Sequence, residues 1–168
     1  MGDGPFWIPL QARGRLATMS RPRGGDCLLG DLHRLRANGV TVVISMLEHD
    51  EARELELSTE ADACTEVGLA FSSLPLPDRS VPEDAAAFWS FSRGVEAAVE
   101  RGEAVVIHCR AGIGRSSLAA AAVLVLRGAS PTEALATIST ARGLSVPDTT
   151  WQREWFTRTA RAEGVGSG

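Results

Sequence analysis

Apolar and polar positions alternate along this chain in two rhythms. Short apolar or β-branched runs at residues 16–19, 40–46, 69–74 and 104–107 have the length of strands. The last run has no polar interruption, as expected of a strand buried on both faces. Longer segments between them carry helix signals. Residues 26–38 place Leu28, Leu32 and Leu35 on one stripe, with Asp26 as a candidate cap and Asn38-Gly39 as a stop. Residues 59–67, closed by Gly68, and 82–101, closed by Gly102, follow the same pattern. Residues 118–126 are apolar all round, the mark of a buried helix. Ser130-Pro131-Thr132-Glu133 is a capping box with proline at the first helical position, and that helix runs to Arg142 and stops at Gly143. A last helix is predicted over 149–163, with Trp151, Trp155 and Phe156 as core candidates. Strands alternating with helices predict an α/β fold: one domain, with a mostly parallel central sheet flanked by helices on both faces. Residues 1–15 are expected to form a loose arm, 16–163 the domain and 164–168 a flexible tail.

The chemistry concentrates where the buried strand meets the buried helix, at His108-Cys109-Arg110-Ala111-Gly112-Ile113-Gly114-Arg115-Ser116. A glycine-bearing loop that opens a helix gathers unpaired N–H groups and a partial positive charge around one point, which suits an anion. A thiol at that point beside an arginine should ionise more readily than a free cysteine. Cys109 would then face a bound phosphate as a nucleophile, within the amides of residues 110–115. Arg115 would grip two phosphate oxygens. Ser116 would stabilise the departing thiolate, and His108 would hold the loop by hydrogen bonds. A buried cysteine in an ordinary strand–helix turn would leave a cation at a helix N-terminus without a reason. A dinucleotide loop, Gly112-x-Gly114-x-x-Ser117, would look to Glu133 for its ribose, but Glu133 is accounted for by the capping box.

The sequence His-Cys, five residues, Arg-Ser resembles the signature of the cysteine-dependent protein tyrosine phosphatases, and the chain's size resembles the atypical dual-specificity branch. The resemblance implies a protein tyrosine phosphatase-like fold and a phosphocysteine intermediate, with no cofactor and no metal. It also implies a general acid on a loop after a strand. Asp78 is the candidate, because Pro77-Asp78-x-x-Val81-Pro82 is similar to the family's acid loop. Glu83 and Asp84 compete with it, but both fit the first turn of the next helix. Gln152 is a candidate for positioning the hydrolytic water, by resemblance to relatives with a Gln in this region.

Three further positions carry two readings each. Glu48, after the strand at 40–46, is either ordinary loop or the carboxylate that orients Arg115. Arg21 and Arg23 form either a solvated turn or a cationic pocket mouth. Cys27 and Cys64 are either core residues or partners for a protective disulfide with Cys109. His49, Asp50, Glu51, Glu54 and Glu56 read as solvated helix surface.

Composition narrows the partners. A formal net charge of −4 offers nothing to nucleic acid. No apolar run reaches the roughly 20 residues of a membrane span. Residues 1–6 lack a basic segment followed by an apolar one, so no secretory signal is expected. Three cysteines without framework spacing favour a reducing compartment, and a cytoplasmic monomer is expected. All 17 basic residues are arginine, a bias that suggests a GC-rich, bacterial source. The expected substrate is a phosphorylated protein, bearing phosphotyrosine and also phosphoserine or phosphothreonine. A phosphoinositide or inositol phosphate is the alternative. A phosphate-binding module without chemistry and a sulfurtransferase are more distant ones.

Overall fold

The computed structural model describes residues 4–163. Five strands form one sheet in the order β1 (Phe6–Ile8), β2 (Arg15–Ser20), β5 (Ala104–Cys109), β3 (Val42–Ser45), β4 (Ala70–Ser73). All neighbours pair in parallel except β1, which runs antiparallel to β2. The mostly parallel α/β sheet expected from the alternation is therefore present. β5 lies at its centre and every one of its residues is buried.

The expected loose arm is not loose. Phe6, Trp7 and Ile8 pair with Thr18, Ala17 and Leu16, so the sheet begins well before residue 16. Two cation–π contacts hold this edge: Arg15 lies 4.0 Å over the Trp7 ring and Arg142 lies 4.1 Å over Phe6. Three apolar residues are too few to show a period, so pairing decides this strand and local pattern does not. The tail expected at 164–168 lies outside the described residues.

Helices cover both faces. Against one face lie α4 (Ala85–Glu100), α5 (Arg115–Leu126), α6 (Pro131–Arg142) and α7 (Thr150–Ala162). They share a core with Val105, Ile107 and Cys109. α5 is buried from Arg115 to Val125, as its all-apolar sequence requires. Phe88, Trp89, Trp155 and Phe156 pack at ring-centroid distances of 5.2–5.8 Å, in the range of favourable aromatic pairs. Trp151, a core candidate in the sequence, is 54% exposed, because it sits in the first turn of α7 while Trp155 and Phe156 take the inner face. Against the other face lie α1 (Leu28–Ala37) and α3 (Glu60–Glu66), packed on Ala17, Met19, Val43 and Val106. Asp26 does not cap α1. It falls in a 3₁₀ turn, Gly25–Cys27, that Gly25 enters at φ 56°, and the α-helix starts after it. The remaining helix, α2 (His49–Glu54), follows the C-terminal end of β3.

Candidate active site

Parallel strands deliver their C-terminal ends to one edge of the sheet, where α/β folds place ligands. Here β5 ends on Cys109 and the loop of residues 110–114 carries the chain into α5. Cys109 is buried, and its Sγ lies 3.4 Å from Ser116 Oγ. The loop passes so close to β2 that a Cβ on Gly112 would stand 2.4 Å from the Met19 carbonyl carbon. Gly112 also has φ 70°, so both space and conformation demand glycine.

Three successive loop carbonyls are bound from outside. Arg21 N–H donates to Arg110 O at 3.3 Å. Arg142 donates through its guanidinium to Ala111 O at 3.1 Å and to Gly112 O at 3.2 Å. In a trans peptide the N–H points opposite to the C=O. The amides of Ala111, Gly112 and Ile113 are therefore turned away from these donors and left to serve an anion.

Arg115 is 1% exposed. Its two terminal nitrogens grip the Glu51 carboxylate at 2.7 and 2.9 Å, a two-pronged pair. Leu76 O at 2.9 Å, Asp78 Oδ1 at 3.1 Å and Met46 O at 3.4 Å also surround it. Arg115 Nε, also buried, has no acceptor among the described residues. Burial opposes the arginine's charge. The hydrogen bonds to Glu51 and the charges of Cys109, Glu51 and Asp78 outweigh it and push the guanidinium above its ordinary pKa. Burial likewise works against the Glu51 carboxylate, but Arg115 and Arg110 hold it below its usual range.

The carboxylate that orients Arg115 is thus Glu51 and not Glu48. Glu48 occupies the extended cap position before α2 and lines a cavity of about 340 Å³ with Leu74, Pro75 and Phe88. One helical turn later, Glu51 faces inward. The acidic run that reads as solvated surface therefore includes a ligand of the buried arginine. Arg110 Nε also binds Glu51, at 3.0 Å. Arg23 is not at a pocket mouth: its guanidinium is clamped on Asp31 of α1, at 2.7 and 3.1 Å. Arg21 meets the loop through its backbone, while its guanidinium turns to Pro22 O.

Asp78 lies on the loop after β4 with its side chain 56% exposed, against the Arg115 guanidinium. His108 is fully buried, and its Nε2 lies 2.8 Å from Glu60 Oε1 in α3. The ring was expected to hold the loop by hydrogen bonds; its one side-chain partner among the described residues is instead Glu60 of α3, and its Nδ1 is buried without a partner there. Gln152 is fully buried beside the loop, with both ends of its amide engaged. Cys27 and Cys64 are free cysteines, as is Cys109. Cys64 lies in the core across the sheet from Cys109, where burial pushes its thiol up to about 12. Glu51, Glu60 and Arg142 were not found by sequence reasoning. None of them carried a local signal, because each meets its partner only through the packing of elements distant in sequence.

Comparison with known proteins agrees with this geometry. The family described as "Polymorphic toxin system, DSP-PTPase phosphatase" matches residues 17–129, more than half of the chain. Cyclin-dependent kinase inhibitor 3 of Mus musculus is 26% identical over 114 residues, which are 67% of this chain and 54% of that protein. The chain thus spans about half the length of the curated relatives it matches. Kinase associated phosphatase, solved with its catalytic cysteine replaced by serine, superposes with a TM-score of 0.83 at 18% identity, covering 94% of each chain. Tk-PTP in its active form superposes with a TM-score of 0.75 at 26% identity, covering 94% of this chain and 97% of that one. The loop of Cys109, the buried arginine and the loop of Asp78 are assembled on the fold of these phosphatases, and the chain belongs to the dual-specificity and protein tyrosine phosphatase family of polymorphic toxin systems.

Proposed function

We propose that this phosphatase hydrolyses phosphomonoesters on proteins, phosphotyrosine first, in two steps through a phosphocysteine. The observation that carries the reading is the Nε–H of Arg115, a buried charged donor with no acceptor among the described residues, on the residue whose other nitrogens contact Glu51 and Asp78. A buried donor left unmet is costly unless a ligand meets it, and a phosphate oxygen does so.

In the first step the Cys109 sulfur attacks phosphorus. An S–P bond forms, the ester P–O bond breaks, and Asp78 gives its proton to the leaving oxygen. Ala111, Gly112 and Ile113 amides and Arg115 hold the three equatorial oxygens. In the second step Asp78, now a carboxylate, takes a proton from water as that water attacks phosphorus. The P–S bond breaks, and Ser116 Oγ, 3.4 Å away, stabilises the returning thiolate. No cofactor or metal takes part in this scheme.

Hydrolysis of para-nitrophenyl phosphate by wild type and Cys109→Ser, with EDTA present, tests it. Wild type should turn over and be blocked by vanadate. Cys109→Ser should lose at least about 10³-fold in kcat. Turnover that survives in Cys109→Ser, or that EDTA abolishes, overturns the mechanism. A panel of phosphopeptides and phosphoinositides then tests the substrate: faster hydrolysis of the lipids replaces phosphoprotein by phosphoinositide.

A further inference from the structure

We propose that Gln152 is a positioning residue for the general acid: it straps the acid loop to the start of α7, beside the signature loop, and does not hold the hydrolytic water. This inference rests on the phosphatase reading above and assigns one of its residues a different task from the one the resemblance implied.

The assignment follows from which atoms can donate and which can accept. Gln152 Oε1 lies 3.1 Å from Thr149 N, a pure donor, so the oxygen must face it. Gln152 Nε2 lies 3.0 Å from Ser80 O, a pure acceptor, so the nitrogen must face that one. The two partners fix the amide's orientation independently and in agreement. The first bond closes a capping box at the start of α7, with Thr149 Oγ1 accepting from Gln152 N in return. The second reaches the acid loop two residues beyond Asp78.

The same amide touches the signature loop. A Cβ on Gly114 would stand 3.0 Å from Gln152 Nε2 and 3.1 Å from its Oε1. Gly114 has φ −88°, a value any residue adopts, so glycine is needed there for space and not for conformation. With no accessible surface, the side chain could take a water from solvent only by giving up one of these contacts.

A second strap runs parallel to the first. Arg79 NH1 pairs with Asp148 Oδ2 at 3.2 Å, joining the residue after Asp78 to the residue before Thr149. Arg79 has φ 56°, a left-handed conformation that a non-glycine residue keeps only when its surroundings hold it. The loop carrying Asp78 is therefore held on the α6–α7 connection from both sides of a strained residue. The exposed ion pair contributes little on its own, which leaves the buried Gln152 bond as the stronger tie.

The test compares Gln152→Met, which keeps the bulk against Gly114 but has no donor, with Gln152→Glu, which keeps an acceptor for Thr149 N and loses the donor to Ser80. Loss of acid catalysis weighs most on poor leaving groups. Both variants should lower kcat/KM for phenyl phosphate by about tenfold or more, and for para-nitrophenyl phosphate by no more than about threefold. In an Asp78→Asn background either change should add little, because both act through one group. Backbone amides of residues 78–81 should exchange faster with solvent in both variants, a readout that needs no turnover. Three results would overturn the inference. One is a stoichiometric burst of phenol followed by slow turnover, as a water-positioning residue gives. Another is losses that multiply with Asp78→Asn. The third is unchanged amide exchange at 78–81. A wild type with no Cys109-dependent turnover would instead bring down the phosphatase reading, while the exchange data still decide whether Gln152 straps the loop.

Discussion

Two clusters of arginine and carboxylate, one on α1 and one at the start of α5, are built inside out from one another. Around Asp31 the acid is the buried partner, 0% exposed, and the two arginines that hold it, Arg23 and Arg34, are about half exposed. Around Glu51 the arginine is the buried partner: Arg115 is 1% exposed and pairs with a carboxylate that keeps 10% of its surface. In the first cluster the acceptor is met by the protein. In the second, the buried cation keeps a donor, Nε, that the described residues leave unmet. The first is a clip between a loop and α1. The second, on the function proposed above, receives an anion from outside. A buried ion pair is weak support for stability by itself, so which partner is buried says more about role than the presence of the pair.

The strongest way to break this comparison is Arg115→Lys. An ammonium cannot reproduce the two-pronged grip on Glu51 and the extra Nε donor together. Activity on para-nitrophenyl phosphate should fall by roughly 10²–10³-fold, with the urea midpoint little changed. A variant that keeps its activity, or that loses folding instead, would make the site arginine a structural one. Asp31→Asn sharpens the other half. Activity should stay within about twofold while stability at pH 7 falls by about 1–2 kcal/mol, read from urea unfolding. The pH dependence has a definite sign. Burial raises the Asp31 pKa, but the Arg23 bonds lower it further, to about 2 from 3.8. A folded-state pKa below the unfolded one stabilises fully above about pH 5, and the gain is lost as pH falls through 2. Asp31→Asn should flatten that acid-side loss. The smallest effect belongs to Arg110→Ala. It removes the outer, exposed partner of Glu51 and leaves the buried one, so KM should rise by no more than about threefold, with kcat unchanged.

The same contrast explains what could be read from sequence. Cys109, Arg115 and the loop between them are neighbours along the chain, so spacing alone places them. The capping box at Ser130 and the stop at Gly143 are local too, and both are present. Glu51 and Glu60 lie 64 and 48 residues from the groups they hold. On short helices their charges look like those of any wet surface, and the packing of α2 and α3 turns them inward. Glu48 failed for the same reason: it occupies the extended cap before α2, and the carboxylate that meets the arginine lies three residues further on, inside the helix. β1 was missed because three residues cannot display a rhythm, and Arg142 because nothing around it in sequence mentions the loop it clamps.

The central place of β5 has a consequence for how this protein loses function under stress. Strands in the middle of a sheet, paired on both sides, belong to the last units to open, whereas edges and surface loops open first. Cys109, the proposed nucleophile, sits at the end of such a strand, paired to β2 through Ser20, while Asp78, the proposed acid, rides on a loop beyond the edge strand β4. On the proposed mechanism, partial opening would cost proton transfer before it cost the thiol. A form opened only at that loop would keep the cradle that binds phosphate and lose the turnover that needs the acid.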